Sequence, residues 1–127
     1  MIEKLALVGL GGAIGAILRF LAVNTAGRTF GDTAWGTAFV NVLGSFLMGV
    51  VAIAVIHKLG EGGARMSALL MTGVLGGFTT SSAFSLDAFR LYEAGRHAMA
   101  AAYVGGSVVL SLVALAIGIA LGRSLFA

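Results

Sequence analysis

The sequence predicts an all-α, polytopic membrane protein of four transmembrane helices, forming a single domain over residues 1–127. Three observations predict it. The chain is 59% hydrophobic and 10% charged, whereas a soluble domain carries about 25% charged residues. Its mean hydropathy is +1.05. Its apolar residues also fall into four runs of about 20, the length a helix needs to cross a hydrocarbon core roughly 30 Å thick.

The first span covers residues 5–23 and gives way to a polar connection, residues 24–32, containing Arg28. Lys4 precedes this run as it would in a signal peptide. However, Arg19 interrupts the run and no small-x-small cleavage site follows, so it is read as a span. The second span covers residues 35–56 and closes on His57, Lys58 and the turn Gly60-Glu61-Gly62-Gly63. The third covers residues 65–92, and the fourth covers residues 98–122 and leaves Arg123 beyond it. An even number of spans puts both termini on one side.

Lys and Arg normally favour cytoplasmic loops. Here the terminal side holds Lys4, Lys58, Arg65 and Arg123, and the other side Arg19, Arg28, Arg90 and Arg96. The bias is nil. A chain without bias inserts both ways, so the sequence predicts an antiparallel, dual-topology homodimer; the alternative is one topology fixed by features the count misses. Four short helices also enclose little interior, which favours a second copy of the chain as partner.

Composition removes several function classes. Cysteine is absent, excluding disulfides, thiolate metal sites and cysteine nucleophiles. Proline is absent too, while the 20 glycines suit close approach of membrane helices. The net charge of +3 is scattered, so no nucleic-acid partner is expected. His57 and His97 lie at span ends without metal-ligand company, and no paired carboxylates, Ser-His-Asp set or phosphate loop occurs. An enzyme is not expected.

The third span carries the unusual chemistry. Residues 73–85 hold the pair Gly76-Gly77 followed by Thr79, Thr80, Ser81, Ser82 and Ser85. Glycine weakens a helix by about 1 kcal/mol relative to alanine, and Ser and Thr offer their hydroxyls to nearby backbone groups. Together they predict a helix break around residues 76–82. Such a break is tolerated at membrane depth only when buried in protein or lining a cavity, where freed carbonyls suit cations and freed N–H groups anions. The alternative is an unbroken helix whose hydroxyls bond back to the preceding turn.

Other spans supply polar faces. Thr37, Asn41, Ser45 and Gly49 recur every four residues, on one helical face. Asn41 is either a helix–helix hydrogen-bonding residue or part of a conduction path. Tyr103, Ser107 and Ser111 repeat the pattern in the fourth span, with small-residue packing as the alternative. Gly11 and Gly15 are read as packing only. Arg19 either snorkels to the interface or draws anions inward. Asp87 is the one carboxylate well inside a span, so the face lacks the acidic ring of a cation channel. Neutral donors, with the positive ring edges of Phe78 or Phe84, point to a small, strongly hydrated anion.

The stretch from Gly76 to Ser85 (GGFTTSSAFS), with Gly15-Ala16-Ile17-Leu18-Arg19 and Val40-Asn41-Val42-Leu43-Gly44, resembles the CrcB/Fluc family of fluoride channels over essentially the whole chain. The resemblance implies an antiparallel homodimer in the bacterial plasma (inner) membrane, with two pores that let fluoride leave passively. It implies a pathway through Asn41, Phe84, Ser81, Thr80, Ser107, Ser111 and Arg19. It also implies a structural sodium ion at the dimer centre, held by the backbone carbonyls of Gly76 and Thr79. The family lines its pores with two phenylalanines three residues apart; the second falls on Phe84, but the first falls on Ser81. Leu115 likewise stands where a third hydroxyl often continues the track of Ser107 and Ser111.

Two readings compete. A small dual-topology multidrug antiporter needs a membrane-buried carboxylate in its first span, but Glu3 precedes that span and nothing acidic follows within it. A non-transporting membrane subunit would use its polar faces only for packing. For the topology itself, a reporter fused to the C-terminus is expected to be active from both sides of the membrane; activity from one side alone removes the antiparallel arrangement.

Overall fold

The structure, a computed structural model, describes residues 1–127, the side chain of Glu61 excepted. Four helical spans long and apolar enough to cross a membrane run Ile2–Phe30, Thr33–Leu59, Gly63–Glu93 and His97–Phe126. At 1.5 Å rise per residue, spans of this size are on the order of 40 Å long. They therefore outrun the hydrocarbon core, and their ends reach headgroup depth.

The first span shows this clearly. Residues 24–30, expected as a connection, are helical. The Thr25 and Thr29 hydroxyls donate to the carbonyls of Leu21 and Thr25 at 2.7 and 2.9 Å, which satisfies these polar residues within the helix. The connection shrinks to Gly31 and Asp32. Gly31 takes a left-handed conformation, φ 80°, and its N–H donates to the Gly27 carbonyl. Asp32 then caps the second span by accepting the Ala34 N–H at 2.9 Å.

The second span is α-helical over Thr33–Ala54 and ends in a π-helical turn, Val55–Leu59. The third and fourth spans join through Gly95 at φ 78°. There the Gly95 N–H donates to Tyr92 and the Arg96 N–H to Leu91, at 3.1 and 3.0 Å, the paired bonds of a Schellman C-cap. At the opposite end an exposed ion pair, Arg65 to Glu3 at 3.1 Å, joins the starts of the first and third spans.

The third span is composite. It is α-helical over Gly63–Met66, π-helical over Ser67–Leu75 and α-helical over Gly76–Phe78. Thr79 is extended, at φ −88° and ψ 158°, and the helix resumes over Ser82–Glu93. Gly76 and Gly77 stay helical; the backbone departs at the hydroxyl residues after them. Gly77 serves close approach instead, since a Cβ there would lie 2.7 Å from the Gly12 carbonyl oxygen. The π-helical winding had no signal in the sequence.

The first span packs on the N-terminal part of the third, and the second packs on the fourth. Lipid tails are as apolar as leucine, so association rests on close contact between small residues. A Cβ at Gly11 would stand 2.9 Å from the Gly73 Cα, and one at Gly15 would stand 2.8 Å from the Phe78 nitrogen. Gly49 meets the Ile119 nitrogen in the same way, at 2.7 Å. Outward positions are apolar: Leu10, Phe20 and Leu110 are 58%, 67% and 57% exposed. A small buried cluster of Ala34, Leu91, Ala100 and Tyr103 closes one end of the bundle.

Gly15→Ala is expected to lower stability by about 1–3 kcal/mol, because the new methyl meets backbone that cannot yield. Gly12→Ala, whose Cβ would meet nothing within 4 Å, should stay within about 0.5 kcal/mol of the parent. Unfolding midpoints in mild detergent compare the two.

Candidate functional site

The Thr79 N–H still donates to the Leu75 carbonyl at 3.1 Å, but Thr79 is extended, its successor Thr80 leaves the helix hydrogen-bond ladder, and Asn41 of the second span fills part of the gap. Its amide nitrogen donates to the Thr80 carbonyl at 2.8 Å, and its amide oxygen accepts the Thr80 N–H at 2.7 Å. The side chain thus pairs with both backbone groups of one residue, as a neighbouring strand would. Of the two roles open to Asn41, this is hydrogen bonding between spans. The second amide hydrogen stays available, and Asn41 also lines the groove beside it.

That groove has a volume of about 850 Å³. Arg19, Asn41, Gly76, Thr79, Thr80, Ser81, Phe84, Ser107 and Ser111 all line it, so the residues singled out in the sequence converge on one site. Gly44, Ser45, Met48, Leu112 and Leu115 complete much of the wall. Gly44 was not singled out as a wall residue. Its missing side chain admits the Thr79 methyl; the signals for it were its place nearly one turn from Asn41 and its membership of the Val40–Gly44 stretch.

Arg19 does not snorkel outward. It is partly buried, and its Nε donates to the Gly77 carbonyl at 3.2 Å. One guanidinium edge is thereby fixed against the third span, and no carboxylate lies within ion-pair distance of it among the described residues.

The hydroxyls divide into two groups. Those of Ser45, Thr79 and Ser85 donate to carbonyls four residues earlier, at 2.8, 3.1 and 2.8 Å. The Thr80 hydroxyl lies 3.2 Å from the Ser82 hydroxyl and accepts the Ala83 N–H at 3.2 Å, capping the resumed helix. Ser107, Ser111 and Ser81 have no such bond among the described residues. They present hydroxyls to the groove as free donors.

Phe84 lies at one end of the groove and stacks on Tyr103, centroids 5.3 Å apart and planes at 26°. The Tyr103 hydroxyl donates to Asp87 at 3.3 Å. Asp87 is buried and sits 4.0 Å from Arg90. The sequence marked Asp87 and Tyr103 separately; their pairing depends on the packing of the fourth span on the third.

No acidic side chain lines the groove. Among the described residues no group of three His, Cys, Asp or Glu side chains could hold a metal ion. The carbonyls of Gly76 and Thr79 receive no backbone N–H, since Thr80 and Ala83 donate to side chains instead. The site therefore offers uncharged and cationic donors around a pair of free carbonyl oxygens.

Replacing Asn41 by alanine strands both polar groups of Thr80, at about 1–3 kcal/mol for each group left buried without a partner. Asn41→Ala is expected to lower the unfolding midpoint more than Ser107→Ala, whose hydroxyl supports nothing in the fold. Thermal melting in detergent measures the difference.

Known proteins resemble the chain closely. A family model described as CrcB-like protein, Camphor Resistance (CrcB), matches residues 6–119. A protein of Cereibacter sphaeroides named fluoride-specific ion channel FluC is 54% identical over 97% of both chains. Proteins of the same name from Rhizobium meliloti and Agrobacterium fabrum are 49% and 46% identical, covering 94% and 97% of this chain and 95% and 98% of their own. With four helices able to cross a membrane and a match over nearly its full length, the chain is a multi-pass membrane protein that belongs to the CrcB-like family.

Proposed function

We propose that the protein is a fluoride channel of a bacterial plasma (inner) membrane, a conductor and not an enzyme, through which fluoride leaves the cell passively. The observation that carries this reading is the groove's donor set. Arg19, Asn41, Ser81, Ser107 and Ser111 each have N–H or O–H groups to offer, and no carboxylate lines the wall. Such a wall attracts anions and repels no charge an anion carries. Fluoride is the smallest halide and the strongest hydrogen-bond acceptor among them, so it gains most from donors that replace its water. The named ion comes from the relatives, each called a fluoride-specific ion channel.

Each residue then has a task. Arg19, held at Nε by Gly77, keeps its remaining guanidinium hydrogens turned to incoming anions. Asn41 offers its second amide hydrogen where the third span is broken near mid-membrane. There the N–H groups opening the helix Ser82–Glu93 also present the positive end of its dipole. Ser107 and Ser111 carry the ion along the fourth span, and the Phe84 ring edge borders the path. Thr80 supports it from behind, through its bonds to Asn41 and Ala83.

A groove open along one side needs a wall. We place a second copy of the chain there, antiparallel in a dual-topology homodimer, with two pores per pair. The nil charge bias of the loops supports insertion in both directions. A structural sodium ion at the dimer centre fits the donors present, because the Gly76 and Thr79 carbonyls are hard oxygen ligands without backbone partners. Bound there, such an ion would supply positive charge to the broken backbone and hold two copies together.

Proteoliposomes loaded with fluoride or chloride test the channel: rapid fluoride efflux with little chloride efflux is expected, and equal rates for both ions overturn the reading. In the same assay Ser81→Phe, which adds an aromatic ring edge to the wall, is expected to raise fluoride efflux. Unchanged or slower efflux removes a conduction role for that ring.

A further inference from the structure

A second cavity, of about 290 Å³, is lined by Tyr103 and by residues in and beside the two hairpin connections. Asp32 of the first connection and Arg96 of the second both line it, together with Trp35, Met99 and Tyr103. The two charged groups are not spent on each other. Asp32 gives one carboxylate oxygen to the Ala34 N–H, and no ion pair joins it to Arg96 among the described residues. Arg96 caps the fourth span through its backbone alone, without a side-chain bond. Trp35 is half exposed at the rim.

We propose that this cavity binds the headgroup of a zwitterionic phospholipid, a phosphate esterified to a primary amine. Three features point to that chemistry. One cation and one anion facing a common space complement a ligand that carries both charges, and an anionic headgroup would meet the Asp32 carboxylate unpaired. A guanidinium matches phosphate oxygens in bidentate geometry, while a carboxylate beside an indole face suits an ammonium. The depth is right as well, because spans that outrun the hydrocarbon core place residues 31–32 and 94–96 among headgroups, where tryptophan is enriched. The phosphate sits against Arg96 and the ammonium against Asp32 and Trp35. The site does not depend on what the groove conducts.

Trp35 is the one tryptophan of the chain, so its fluorescence reports the cavity directly. Purified protein in a maltoside detergent is titrated with dihexanoyl phosphatidylethanolamine, dihexanoyl phosphatidylglycerol or soluble glycerophosphoethanolamine. The expected result is a saturable emission shift with phosphatidylethanolamine, at least tenfold weaker binding of phosphatidylglycerol, and weaker binding of the soluble headgroup. Arg96→Gln and Asp32→Asn should each weaken the phosphatidylethanolamine response at least fivefold. Asparagine is as good an N-cap as aspartate, so Asp32→Asn keeps the fold, and an unchanged melting midpoint verifies that in both variants. Equal responses to the two lipids, or responses unaltered in both variants, overturn the site. Glycerophosphoethanolamine binding as tightly as the lipid overturns the lipid assignment in favour of a soluble ligand.

Discussion

Everything distinctive about this molecule depends on one constraint: a peptide group that leaves the helical ladder inside a membrane must find another partner. Thr79 turns extended, and the N–H and carbonyl of Thr80 lose their helical bonds. In hydrocarbon each such group costs several kcal/mol if unpaired. The Asn41 amide pairs with both, at 2.7 and 2.8 Å. Without that side chain both groups would be stranded. With it, the departure is paired, the Gly76 and Thr79 carbonyls receive no backbone N–H, and the broken segment lines a groove to which all four spans contribute.

The glycines make that geometry reachable. Asn41 can meet Thr80 only because Gly44, nearly one turn further along, leaves room for the Thr79 methyl. On the other side, Gly11, Gly15 and Gly77 bring the first span within backbone contact of the third. Arg19 is carried inward as a result, close enough for its Nε to reach the Gly77 carbonyl. One set of absent side chains thus positions the groove's charged residue and its amide.

Much of this was legible in the sequence, and the reasons are physical. Four apolar runs announce four spans because hydrocarbon thickness sets helix length. The run of hydroxyls after Gly76-Gly77 marks a departure from the helix because Ser and Thr compete for backbone groups. Yet the sequence blurred which residues depart: the glycines favoured by propensity remain helical, held by the first span, and Thr79 departs instead. Arg19 was also ambiguous, because snorkelling and inward bonding depend on the depth of the neighbouring carbonyl. The first span was drawn seven residues short, since hydropathy registers polar side chains and misses the back-bonding that keeps Thr25 and Thr29 helical. A partner chain leaves only the nil charge bias of the loops as its mark, and a bound ion held by backbone carbonyls leaves none in the side-chain pattern.

The two serines of the fourth span carry a last consequence. One helical turn separates Ser107 from Ser111, a rise of about 6 Å, and a short hydrogen bond from a hydroxyl reaches about 2.7 Å. Two such reaches, about 5.4 Å together, fall short of the interval. On the proposed path a small anion bound tightly by one hydroxyl therefore has to be handed to the other and is never held by both at full strength. The rise of an ordinary α-helix thus keeps the two serines from closing into a trap.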